Sequence, residues 1–128
     1  EDLAYQPKGE GRNCQQTVNH LYDLSKMMLR LTKTDFKQEK EKDKMTFVEM
    51  RKQTLLNIQA LSNHIQMSEN LSEFTVKIAG KITVPFFNVI NGPMSDAIWH
   101  AGQIASFRRS SGNPINSKVN HFTGTVRE

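Results

Sequence analysis

Apolar residues recur at helical spacing over two long stretches of the chain. In the first, Val18, Leu21, Tyr22, Ser25, Met28, Leu29 and Thr32 share one face, and Thr17, His20, Leu24, Met27 and Leu31 form the stripe beside it. Asn13 can accept from an unpaired backbone amide, and Gln16 completes a capping-box-like pattern. This helix is therefore expected from Asn13 to about Thr32. The second repeat is Phe47, Met50, Thr54, Ile58, Leu61 and Ile65. It follows a Thr46 and Glu49 capping box and contains neither Gly nor Pro, which predicts a long uninterrupted helix ending near Met67.

Beyond Glu73 the period shortens to that of a strand. Val76 and Ile78, then Ile82 and Val84, alternate with polar or small residues around Ala79-Gly80, so residues 74–84 are expected to be extended, with a short hairpin as one form. Pro85 can open a helical turn through Phe86, Phe87, Val89 and Ile90 before Asn91-Gly92-Pro93 breaks the path. A last helix is expected from Pro93 to about Ser110, stopping before Gly112 and Pro114. Its core face reads Met94, Ala97, Ile98, Ala101, Ile104 and Phe107 or Arg108; the next stripe is Asp96, His100, Gln103 and Phe107. The tail, 112–128, is polar, with Val119 and Phe122 as anchors onto the helices.

Composition narrows the class. A chain of 128 residues with 37% hydrophobic and 23% charged residues has the make-up of one soluble globule, so residues 1–128 are read as a single domain. No run approaches the roughly 18 apolar residues that a membrane span needs. The lone Cys14 excludes an internal disulfide. The net charge of +4 could invite an acidic partner, but the tract 33–44 alternates lysines with Asp35, Glu39, Glu41 and Asp43 and nearly cancels itself. A solvated loop over 33–45 is expected there rather than a nucleic-acid groove. Because Glu1 is not an initiator methionine, an upstream segment is expected to have been removed; a cytoplasmic location is expected, with export left open.

Candidate chemistry lies on the last helix. Asp96 and His100, four residues apart, share a helical face and can share a cation. Carboxylate and imidazole both suit zinc or another first-row divalent ion, and His20, on the core side of the first helix, is the best third ligand. The bland readings stand beside this one: Asp96 favours the positive end of its helix, and His100 is a buried histidine with an ordinary hydrogen bond. His64 reads as a surface histidine or a partner for its helix C-terminus, and His121 reaches a site only if the tail folds back. Cys14 reads as a small residue at a helix start, with a thiol pKa lowered by the helix N-terminus as the alternative. Trp99 reads as core or interface, and Ala101 and Gly102 as positions of close helix approach. No Ser-His-Asp arrangement, phosphate-binding Gly-rich loop or Cys-Cys pair competes.

The run Trp99-His100-Ala101-Gly102-Gln103-Ile104, followed by Arg108-Arg109 and Gly112-Asn113-Pro114, resembles the last-helix signature of the DinB/YfiT-like superfamily. The earlier run Tyr5-Gln6-Pro7-Lys8, Arg12 and Gln16-Thr17-Val18-Asn19-His20-Leu21 is similar to that family's entry into the helix carrying its first ligand histidine. The resemblance implies an all-α, up-down four-helix bundle with a divalent metal, zinc, nickel or similar, held by His20, Asp96 and His100. Asp96 stands where the family has a third histidine, and a carboxylate still coordinates. Asp96 would be ligand or general base and Gln103 a positioning group, in a thiol-dependent transferase or hydrolase acting on a small molecule.

Only three long helices are evident, so the family's first helix is expected to lie upstream, to be replaced by the Pro85 segment, or to be supplied by a partner chain. An uncovered apolar seam would favour a homodimer. The rival reading is a metal-free binding or structural bundle acting through a dimer face or a small-molecule pocket.

Overall fold

A computed structural model gives the fold of residues 2–32, 41–78, 81–120 and 123–128. Residues 33–40 of the charged tract, Ala79-Gly80, His121 and Phe122 lie outside the described residues. Both helix starts form as the sequence dictates. Asn13 Oδ1 accepts from the Gln16 amide at 2.8 Å while Gln16 Oε1 accepts from the Asn13 amide at 2.9 Å, opening α1 (Cys14–Thr32). Thr46 and Glu49 make the same reciprocal pair at the head of α2 (Phe47–Gln66). Each box satisfies amides that the first helical turn leaves without partners.

The expected hairpin is present. β1 (Thr75–Ile78) and β2 (Ile82–Pro85) pair antiparallel with Val76 opposite Val84. Val76 is buried and Ile82 is exposed, so the ladder leans one face on the helices. A single turn, α3 (Phe87–Val89), leads into a π-helical turn over Ile90–Met94, in which Gly92 has non-helical dihedrals. The expected break is thus a kinked π turn, and α4 (Ser95–Ser110) starts two residues after Pro93. Two short strands missed by pattern, β3 (Val119–Asn120) and β4 (Thr125–Val126), pair in the tail. Asn113 ties that tail to the chain start by donating to Asp2 at 2.7 Å.

α1 is the central rod, packed against both α2 and α4. The core cluster of Met28, Leu29, Leu61, Val76, Phe86 and Val89, with Leu31, Ile65, Met94 and Ala97 packed on it, gathers the last turns of α1 and α2, the hairpin and the first turn of α4. The C-terminal ends of α1 and α2 therefore lie together, and these two helices run parallel while α4 runs antiparallel to α1. That corrects the expected up-down order, in which α1 and α2 would run antiparallel. Midway along the α1–α2 contact Asn57 is buried and donates to Ser25 Oγ at 3.1 Å, while its Oδ1 accepts from Gln53 at 2.9 Å. Buried amides persist where their partners are in place.

Two expected core faces are corrected. Of the α2 repeat only Met50 and Leu61 are buried, and Ile58 is 44% exposed. On α4 the buried residues are His100 and Phe107, whereas Ile98 is 69% exposed and Ala101 is exposed. It is the stripe Asp96, His100, Gln103 and Phe107 that turns toward α1. The stripes expected to be core instead line an apolar groove of about 1100 Å³, walled by α2 and α4 and floored by α1. The Pro85 segment does not fill it, because Phe86 and Val89 are spent in the core cluster at the end of the helices. No described helix is long and apolar enough to cross a membrane.

Two substitutions check this packing. Asn57→Ala, which strands Ser25 and leaves a void, should lower the unfolding free energy by about 1–3 kcal/mol, and Thr46→Ala by about 1 kcal/mol through the lost cap, each read from the urea midpoint of the purified chain.

Candidate metal centre

The antiparallel α1–α4 contact brings His20 against the Asp96 and His100 pair. Asp96 lies in the first turn of α4 and His100 one turn further, on the face that meets α1. His20 Nε2 stands 3.2 Å from Asp96 Oδ2, and His100 Nε2 stands 3.3 Å from Asp96 Oδ1. One ligand atom from each of the three residues falls within 4.8 Å of the others. The two imidazoles meet edge to face with centroids 4.7 Å apart. All three residues singled out by sequence converge, and among the described residues theirs is the group that could hold a metal ion.

Burial is graded across the trio. The His100 side chain is 4% exposed, His20 25% and Asp96 40%, so one imidazole anchors the site in the protein while the carboxylate opens it to solvent. Gln103, one turn past His100, places Oε1 at 2.6 Å from His100 Nδ1. An amide oxygen only accepts, so Nδ1 carries a proton; Nε2 then faces Asp96 either with a lone pair, in a neutral ring, or with a second N–H, in a charged one. A lone pair and a carboxylate oxygen 3.3 Å apart repel unless positive charge sits between them or on the ring.

A shared cation is one way to supply that charge. Ligand atoms bound at about 2.0–2.1 Å to one tetrahedral ion stand roughly 3.3–3.4 Å apart, and the two nitrogen-to-oxygen separations here, each to a different oxygen of Asp96, are of that order. Two imidazoles and a carboxylate suit zinc and neighbouring divalent ions, and three protein ligands leave a coordination position open. Gln103 supplies the outer hydrogen bond that fixes a ligand imidazole's tautomer and direction.

Trp99 was expected in core or interface; it is 63% exposed and lies beside His100, with centroids 5.0 Å apart. Its ring thus lies at the surface beside the trio, which helical spacing alone did not reveal. A smaller apolar cleft of about 220 Å³ lies between Met27, Leu31, Val76, Val84 and Pro93. Met27 lies seven residues beyond His20 on α1, so this cleft opens about two turns from that imidazole.

The remaining candidates fall away from the site. His64 is not a surface residue: its ring packs edge-on to Phe74 at 5.4 Å, and its buried Nε2 has no hydrogen-bond partner. Cys14 is buried at the far end of α1. Burial pushes its thiol pKa up, the Asp2 carboxylate adds to the rise, and Arg108 opposes it, so the alternative of a helix-activated thiol is corrected. Burial and then Asp23 likewise raise the Tyr22 hydroxyl. Comparison with protein-family models, curated proteins and solved structures returns no match.

A thiol whose folded pKa is raised holds its proton longer in the folded state than in the unfolded chain. Its contribution to stability is full below the unfolded pKa and is lost as pH rises through the folded one. Thiolate absorbance of the folded chain should therefore rise at higher pH than in urea, and Cys14→Ala should flatten the alkaline loss of stability; coincident titrations in the two states would refute the assignment.

Proposed function

We propose that the chain is a divalent-metal-dependent enzyme of the DinB/YfiT-like type, with His20, Asp96 and His100 as its metal ligands. The convergence of three ligand atoms from two helices within 4.8 Å carries this reading. The facing of His100 Nε2 and Asp96 Oδ1 supports it, because a cation between them would bind both without changing either side chain's direction. An ion bound there would supply Lewis-acid polarisation and a lowered pKa for water or a substrate thiol.

The residues of the chain divide the remaining work. Gln103 accepts from His100 Nδ1 and holds the imidazole in one tautomer. Asp96 is the exposed member of the trio and has two oxygens, one facing each imidazole, so it can bind with one and take a proton with the other. Trp99 and the cleft at Met27 and Pro93 offer apolar surface to a small-molecule substrate. The reaction class is thiol transfer or hydrolysis, on the resemblance of the last-helix motif alone.

A second reading has its own observation. The Asp96 carboxylate reaches both imidazoles directly, so a protonated histidine could supply the positive charge and leave a metal-free polar network in a binding bundle. Elemental analysis of untagged protein separates the two. The expected result is about one divalent ion per chain, lost in His100→Ala and in His20→Ala, with metal affinity about 10–100-fold weaker in Gln103→Leu. Asp96→His should retain the ion. Wild type that carries no metal after incubation with zinc or nickel, and whose thermal midpoint does not respond to either, would leave the metal-free network as the function-bearing feature.

A further inference from the structure

The walls of the groove floored by α1 are apolar, and its charges are gathered at one end. Leu55 and Ile58 of α2 stand on one side and Ile98 of α4 on the other, with Val18 and Leu21 beneath. Leu55 is 55% exposed and Ile98 69%, so apolar surface lies open to water along the trough. The floor follows α1 from Cys14 to Met28, about 21 Å at the rise of an α-helix. Its volume of about 1100 Å³ is close to the upper limit for small-molecule sites.

The charged side chains that line it are Asp2, Arg51 and Arg108, all toward the end where α1 and α2 begin and α4 finishes. Arg108 is fixed there by its neighbour Phe107, whose ring meets Tyr5 at 5.9 Å, while the Tyr5 carbonyl accepts from the first amide of α1. Arg51 lies near the start of α2, before the level at which Asn57 meets Ser25. Helical side chains lean toward their own N-terminus, which for Arg51 is the direction of this end. Asp2 does not cancel the two cations: its carboxylate accepts from Asn113 at 2.7 Å. Among the described residues neither guanidinium makes an ion pair. Arg108 gives Nε–H and one Nη2–H to Asn113, at 3.0 and 3.3 Å, which orients the group and leaves its other N–H donors free.

We infer that the groove binds a free long-chain fatty acid, with the acyl chain along the apolar walls and the carboxylate at Arg51 and Arg108. Length agrees: an acyl chain spans about 15 Å, half the hydrocarbon core of a bilayer, and the trough leaves room beyond it for the head. Charge agrees as well. A guanidinium presents paired N–H donors to a carboxylate, and a ligand charged at one end only matches a groove charged at one end only. A protein helix would bring polar groups at both ends, whereas the end at Ile65 and Met94 has no charged lining residue. Two walls and a floor take in a single chain; a bilayer surface would require an apolar face that projects. The inference does not rest on the metal reading.

Calorimetric titration of the purified, delipidated chain with dodecanoate below its micelle concentration tests it, with EDTA present so that no metal ion holds the carboxylate. Saturable binding of one dodecanoate per chain is expected. Decanoate should bind more weakly by about fourfold for each methylene removed, and dodecanol, which lacks the charge, by about tenfold or more. Arg51→Gln, at an exposed position, should weaken dodecanoate about tenfold and leave dodecanol unchanged. Arg109→Gln, exposed and outside the groove, should alter neither. Ile98→Glu, whose side chain is already in water, should keep its far-UV circular dichroism and lose both ligands. A wild type that takes up no dodecanoate, the outcome if a second copy or a peptide segment covers the groove, overturns the inference. So does equal affinity for dodecanoate and dodecanol, or dodecanoate binding that survives Arg51→Gln or Ile98→Glu unchanged.

Discussion

α1 must bury two adjacent stripes at once, and the rest of the molecule is arranged around that demand. Met28 and Leu29 meet the α2 side and the hairpin, while Thr17, His20 and Leu24 turn toward α4. A helix with so wide a buried arc cannot sit at the edge of a two-element pair; it needs a neighbour on each flank. Parallel α2 and antiparallel α4 are those neighbours, and the hairpin with α3 plugs the end where all three converge. Polar exceptions on the buried arc are all partnered: Ser25 with Asn57, Thr17 and Thr32 with carbonyls one turn back, and His20 with Asp96.

The candidate centre follows from this packing rather than standing apart from it. His20 occupies a stripe whose other members are mostly apolar, so its imidazole is carried into the α1–α4 seam by its neighbours. There it meets the one stripe of α4 that carries an acid, an imidazole and an amide in successive turns. The amide of Gln103 orients His100, and a carboxylate set between two imidazoles is an arrangement that positive charge, on a ring or between the groups, completes. Folding free energy from Phe107, Leu24 and the core cluster holds these polar groups together; the groups themselves do not.

Local chemistry was legible in the sequence and tertiary cover was not. Both capping boxes, the hairpin and the Asp96–His100 spacing depend on residues a few positions apart, and each appears where the pattern placed it. Periodicity marked Ile58 and Ile98 as members of an apolar face, but a period says which residues share a face and nothing about what lies opposite. Hence these two line a groove instead of a core. The parallel direction of α2 was hidden because it shows only in contacts between residues far apart in sequence, Ser25 with Asn57 and Met28 and Leu29 with Leu61. Asn57 gave no warning of its burial, since its partner Ser25 lies on another helix. The pairing of Val119 with Val126 was invisible because strands of two residues have no period to read. His20 lay between the two cases: its place beside apolar residues was readable, but its partner needed the antiparallel α1–α4 contact.

The π turn at Ile90–Met94 carries one more residue per turn than the α-helix it feeds. Each residue of α-helix advances about 100° around the axis, so the phase at which α4 emerges is set by the length of this turn and not by anything within α4. An insertion or deletion there would act like a gear tooth, rotating the whole stripe of Asp96, His100 and Gln103 away from His20 while leaving every one of those residues in place. Lineages of such a chain could thus lose or regain the centre through a change that no comparison of ligand residues would register.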